Sequence, residues 1–162
     1  MNPLHLEMLR SAPIFEGLPE EDFPCIEQRL IVLRFEQDDL VFREGAPGRY
    51  ICFVVEGQLE VVKGVDPGRA VPIARIGPGR SVGEMSIVDG STCSATVVAR
   101  TPTMVLALTR EHFDALVTEH PRLGVEIYRG ISKLLAISLR QTSEDLAEAR
   151  TPGDGRLPLS VP

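Results

Sequence analysis

The chain has 162 residues, enough for one domain with a sizeable core, and a formal net charge of −6 with a pI of about 5.1. That acidity, with no run of Lys or Arg, argues against a generic electrostatic grip on nucleic acid. No apolar run reaches the roughly 18 residues of a membrane span. The N-terminus "MNPLHLEMLRSAPIF" has no basic segment followed by an unbroken apolar one, so neither a span nor a signal peptide is expected.

The first thirty residues read as short helices. Leu4, Leu6 and Leu9 precede Ile14 and Phe15, then Leu18, Phe23, Ile26 and Leu30 follow. Pro13 and the Gly17-Leu18-Pro19 turn interrupt the pattern. Glu20, Glu21 and Asp22 after Pro19 suit the positive end of a helix and read as a solvated first turn.

Between about residues 31 and 108 the pattern changes to short β-branched runs separated by Gly, Pro and Asp. "LIVLRF", "DLVFREG", "ICFVVEGQLEVVKG", "VPIARIGPG", "SATVVAR" and "TMVLAL" predict antiparallel strands of a sandwich or barrel. Ile51, Phe53 and Val55 alternate with Cys52 and Val54, so they face opposite sides of one strand. Glu56-Gly57 is expected as a hairpin turn, because glycine adopts φ > 0 without steric cost. "GVDPGRA" at 64–70 and "GPGR" at 77–80 predict further turns.

After Leu108 the helical period returns. Thr109 is placed to cap a helix through "REHFDALVTEH", with Phe113, Leu116 and Val117 on one face. Pro121 opens a long helix reaching about Arg150, on which Leu123, Ile127, Ile131, Leu134 and Leu135 form an apolar stripe to be buried on the β domain or against a second copy. Gly124 and Gly130 lower that helix's intrinsic stability by about 1 kcal/mol each, as suits a helix that moves. Residues 1–150 are thus expected to form one mainly β domain with flanking helices, followed by a disordered Pro/Gly-rich tail over 151–162.

Cys25, Cys52 and Cys93 are widely spaced, with no CxxC or Cys/His cluster, so reduced thiols in a cytoplasmic protein and no metal are expected. His5, His112 and His120 are scattered and read as surface or capping residues. The acidic "QDD" at 37–39 reads as turn and strand-edge residues. No Ser/His/Asp arrangement, HExxH or P-loop occurs, so no catalytic role is expected.

The chemistry concentrates in residues 83–99, "GEMSIVDGSTCSATVVA". A glycine before a short helical turn lets backbone N–H groups approach a phosphate. Glu84 can accept hydrogen bonds from sugar hydroxyls, and Ser94 and Thr96 add hydroxyl groups. The stretch contains no positive charge.

With "FREGAPGRYICFVVEGQLEVV" at 42–62 and "IARIGPGRSVGEMS" at 73–86, the arrangement resembles the cyclic nucleotide-binding domain family, from about Leu9 to Leu139. Gly83, Glu84, Met85, Ser86 and Ile87 match the first half of that family's phosphate-binding cassette, and Ser94-Ala95 match its end. The resemblance implies an eight-stranded β jelly roll with N-terminal helices and two C-terminal helices. It also implies that the cassette backbone and one Arg hold the cyclic phosphate of cAMP or cGMP while the Glu binds the ribose 2′-hydroxyl. Cys93 stands where that Arg belongs, and Thr92 where a Pro is common.

Losing a charge-assisted bond of roughly 1.5–3 kcal/mol weakens binding by about ten- to 150-fold. Arg49 and Arg80 lie on neighbouring turns and are candidate replacements. The expected ligand-binding set is Gly83, Glu84, Met85, Ser86, Cys93, Ser94 and Ala95. Two functions stay open: a sensor whose cyclic nucleotide repositions the C-terminal helices, and a ligand-free interaction or oligomerisation module on the same fold. The expected partner is a protein, or a second copy through the C-terminal helix. The Pro/Gly-rich residues after Leu139 predict no helix-turn-helix for DNA.

Overall fold

The computed structural model describes residues 3–66 and 69–150. The chain opens with α1 (Pro3–Arg10), two 3-10 turns (Pro13–Phe15 and Glu20–Asp22) and α2 (Phe23–Glu27). Strands β1 (Leu30–Phe35), β2 (Leu40–Phe42), β3 (Tyr50–Glu56), β4 (Leu59–Asp66), β5 (Arg69–Ile76) and β6 (Ser81–Val82) follow. Then come α3 (Glu84–Asp89), β7 (Thr96–Ala99), β8 (Thr103–Thr109), α4 (Arg110–Glu119) and α5 (Pro121–Arg150).

The strands form two antiparallel four-stranded sheets, ordered β1-β8-β3-β6 and β2-β7-β4-β5, the jelly-roll arrangement. Alternation along β3 decides how the layers stack. Ile51, Phe53 and Val55 face the helices and join Leu9, Phe15, Phe113, Leu116, Leu123 and Ile127 in one core. Cys52 and Val54 face the second sheet and join Val41, Phe42, Leu59, Cys93 and Val97 in another. The first sheet is therefore covered on both faces, which is why β3 and β8 are continuous apolar runs.

The helices seat closely. Thr109 caps α4 by accepting the His112 N–H at 3.2 Å, as its position predicts. Leu123, Ile127 and Ile131 of α5 are buried, Leu134 and Leu135 half-buried, and almost every residue beyond Ala136 is exposed. Glu60, 5% exposed, is held by Arg100 at 2.6 Å and Arg75 at 3.4 Å. Asp22 takes both its hydrogen bonds from Arg122, tying the N-terminal turn to α5.

Several sequence expectations change. The two-residue strand β6 is too short to register as an apolar run. The second turn is narrower than "GVDPGRA", since Gly64–Asp66 and Arg69-Ala70 continue the β4/β5 ladder. The glycines of α5 mark close approach rather than softness. A Cβ on Gly130 would lie 1.9 Å from the Ile14 carbonyl oxygen, and one on Gly124 would lie 3.0 Å from Val117. The tail expected over 151–162 lies outside the described residues.

Candidate functional site

The stretch expected as the cassette begins where β6 turns into α3. Gly83 has φ +98°, and a Cβ there would meet the Tyr50 carbonyl oxygen at 2.7 Å and the Phe42 ring at 2.9 Å, so only glycine fits. Glu84 is the first residue of α3. Its Oε2 is buried with no hydrogen-bond partner, and burial raises its carboxyl pKa despite the opposing charge of Arg80. Ser86, 2% exposed, donates to the Gly83 carbonyl at 3.1 Å, and its side chain fills the space that a Cβ on Gly48 would occupy. Met85 is 48% exposed.

The second half of the cassette is bound to the β2–β3 loop. Cys93 donates its N–H to the Ala46 carbonyl at 2.8 Å and accepts the Gly45 N–H at 2.9 Å, and Pro47 and Thr92 form a β-bridge. The Cys93 side chain is 8% exposed, and burial raises its thiol pKa, so it is a neutral thiol rather than a thiolate. Ala95 is buried and Ser94 exposed, the latter with its carbonyl held by Lys63 and its hydroxyl 3.8 Å from the Met85 sulfur. The Thr96 hydroxyl accepts the Glu44 N–H at 3.0 Å and is therefore engaged within the protein.

A cavity of about 260 Å³ opens beside Cys93, between β2 and the start of β3. Val41, Phe42, Arg43, Ala46, Pro47, Arg49, Tyr50 and Cys93 line it. Of the expected ligand-binding set, only Cys93 is among the lining residues. Phe42, paired with Tyr50 at 5.1 Å, borders both the cavity and Gly83.

Sequence reasoning missed Arg110. Its guanidinium donates to the Ser86 carbonyl, to Ile87 O at 3.4 Å and to Gly48 O at 3.5 Å, while its own N–H binds Arg49 O at 2.9 Å. One side chain thus ties the start of α4 to α3 and to the β2–β3 loop. The available signal was its place: a cation in the first turn of a helix opposes the macrodipole and needs another use. Arg43, on the cavity wall, was also missed; Arg49 does reach that wall, while Arg80 acts on Glu84.

Among the described residues, no three His, Cys, Asp or Glu are grouped to hold a metal, and no helix is long and apolar enough to cross a membrane. His112 Nδ1 donates a 2.6 Å hydrogen bond to the Arg29 carbonyl, and all three cysteines are free.

Comparison with known proteins points the same way as the fold. A CRP-like cAMP-activated global transcriptional regulator of Mycobacterium tuberculosis is 25% identical over 142 residues, which is 88% of this chain and 62% of that protein. This chain thus spans less than two thirds of that relative's length. The crystal structure of a cyclic nucleotide-binding domain from Methylobacillus flagellatus superposes with a TM-score of 0.80 at 26% identity, covering 95% of this chain and 85% of that one. The regulatory subunit of a cAMP-independent protein kinase A from Trypanosoma brucei shares the fold, with a TM-score of 0.70 at 22% identity over 91% of this chain and 50% of its own. The family model described as cyclic nucleotide-binding domain matches residues 32–120, more than half of the chain. The chain belongs to the cyclic nucleotide-binding domain family.

Proposed function

We propose that this is a regulatory module that binds a cyclic nucleotide, cAMP or cGMP, and passes the event to a protein partner or a second copy through α4 and α5. Glu84 carries the reading. A carboxylate is an acceptor with no donor of its own, and burying one of its oxygens without a partner is costly. A ribose hydroxyl beside Gly83 supplies the missing donor. Arg110 supplies the route outward, since any shift of α3 is transmitted through its carbonyls to α4. Ile137, Leu139 and Leu146 on the exposed half of α5 offer apolar surface for the partner. The role is one of binding rather than catalysis, in a cytoplasmic setting that suits three free thiols.

On this reading the phosphate cassette is degenerate, because Cys93 replaces the cation. That same residue favours a second reading, a ligand-free interaction or oligomerisation module. Cys93 is packed among Val41, Phe42 and Val97 and offers an anion nothing. The trypanosomal relative is the regulatory subunit of a protein kinase A described as cAMP-independent, and a mutant of that subunit, one of whose substitutions introduces an arginine, is bound to cAMP.

Calorimetric titration with cAMP and cGMP of the wild type and of Cys93→Arg separates the two. Saturable binding by the wild type supports the sensor. Binding by Cys93→Arg alone supports the ligand-free module with a pocket kept in shape, and binding by neither removes the cassette as a nucleotide site.

A further inference from the structure

The β2–β3 loop carries two arginines, Arg49, a candidate replacement for the missing cation, and Arg43, which shares the cavity wall with it. Arg43 and Arg49 are both exposed and both line the cavity beside Cys93. Neither guanidinium takes part in an ion pair or side-chain hydrogen bond among the described residues, whereas Arg10, Arg29, Arg75, Arg100 and Arg122 are all ion-paired. The acid between them is committed elsewhere: Glu44 pairs with Lys63 at 2.6 Å and accepts the Gly64 N–H at 3.1 Å. Two cations are thus left facing one small cavity with no anion to balance them.

Their position relative to Cys93 is fixed rather than incidental. The two backbone hydrogen bonds between Cys93 and Gly45/Ala46, with the Pro47–Thr92 bridge, clamp the cassette loop against the loop that carries both arginines. A short side chain at 93 leaves the space that a long one would fill, and the loop opposite brings the charge. The guanidinium fork matches phosphate oxygens in a bidentate manner and carries a permanent positive charge.

We infer that Arg43 and Arg49 hold the phosphodiester of the nucleotide, so that the positive charge comes from the β2–β3 loop instead of from the cassette. The inference rests on the cyclic nucleotide reading and adds to it the residues that grip the anion. The charged phosphate enters the cavity beside Cys93, and the ribose lies outside it, on the side of Gly83 and Glu84.

The test is calorimetric titration with cAMP, and with adenosine as the uncharged probe, of the wild type, Arg43→Gln, Arg49→Gln, the double variant, and the double variant carrying Cys93→Arg. Arg140→Gln, on the exposed half of α5, is the control for a generic loss of surface charge. The wild type is expected to bind cAMP and not adenosine, with affinity that falls as salt rises. Each single Gln variant is expected to weaken binding about tenfold or more, the double variant to flatten the salt dependence, and Cys93→Arg to restore affinity to the double variant. Arg140→Gln is expected to bind as the wild type does. Unchanged affinity in the double variant overturns the inference and leaves the nucleotide reading standing. An equal loss in Arg140→Gln overturns it likewise. No binding by the wild type overturns it too, and the accompanying Cys93→Arg result then decides whether the pocket is silent or absent.

Discussion

Replacing Gly130 with Ala sets two effects of opposite sign against each other. On an isolated helix the change stabilises by about 1 kcal/mol, because alanine loses less backbone entropy. Here the added Cβ would lie 1.9 Å from the Ile14 carbonyl oxygen and 2.8 Å from its carbon. That neighbour is backbone in the 3-10 turn Pro13–Phe15 and cannot rotate away, so helix and turn must part by about 1.5 Å to reach ordinary contact. Separating them loosens Ile14 and Phe15, both 1% exposed, from the core.

Overpacking of this kind costs about 1–3 kcal/mol, and the upper end applies against rigid backbone. The net is a destabilisation of about 2 kcal/mol, or a fall in Tm of roughly 4–8 °C. Gly124→Ala is the internal control. Its Cβ would meet the Val117 methyls at 3.0 and 3.1 Å and the Val117 Cα at 3.1 Å, so a shift of only a few tenths of an ångström is needed and the gain and loss nearly cancel. Urea denaturation and calorimetry of both variants measure this. A Gly130→Ala protein as stable as the wild type or more so, matching Gly124→Ala, would refute the close-contact account and restore the view of these glycines as sources of softness.

Gly83→Ala combines a left-handed backbone with contacts of 2.7 and 2.9 Å, so it should cost at least about 1–2 kcal/mol in denaturant titration and abolish nucleotide binding. Glu84→Gln tests the buried carboxyl. Burial holds its folded pKa above the ordinary 4.5, so the folded state binds the proton more tightly than the unfolded state. Stability therefore falls as pH rises from about 4.5 through the folded value, and the deficit persists above it. Glu84→Gln should escape that fall and gain on the wild type toward neutral pH; superimposable stability–pH curves would contradict it. Arg110→Gln should cost about 1–2 kcal/mol by removing charged hydrogen bonds to α3. In hydrogen exchange it should also disconnect α5 from nucleotide binding, and ligand-dependent protection of α5 equal to the wild type's would rule out the Arg110 route.

Much of this protein is legible residue by residue. The alternation of Ile51, Phe53 and Val55 with Cys52 and Val54 already contains the two cores, because a strand with both faces apolar must lie between two layers. Thr109 and Pro121 mark the starts of α4 and α5, because capping and the missing proline N–H are local effects. Gly83, Glu84 and Ser86 are recognisable together because a left-handed turn into a short helix demands a particular order of residue types.

What surrounds them was decided elsewhere. That Gly130 faces the Ile14 carbonyl, 116 residues away in the chain, depends on how α5 lies on the N-terminal turn, and no local pattern encodes that. That Arg43 and Arg49 line one cavity with Cys93 depends on backbone hydrogen bonds between two loops far apart in sequence. The sequence alone shows which residues match the family's cassette and that Cys93 stands where its Arg is expected. Only the tertiary structure shows where other cations stand, because a charge acts through space and its neighbours are set by packing rather than by order along the chain.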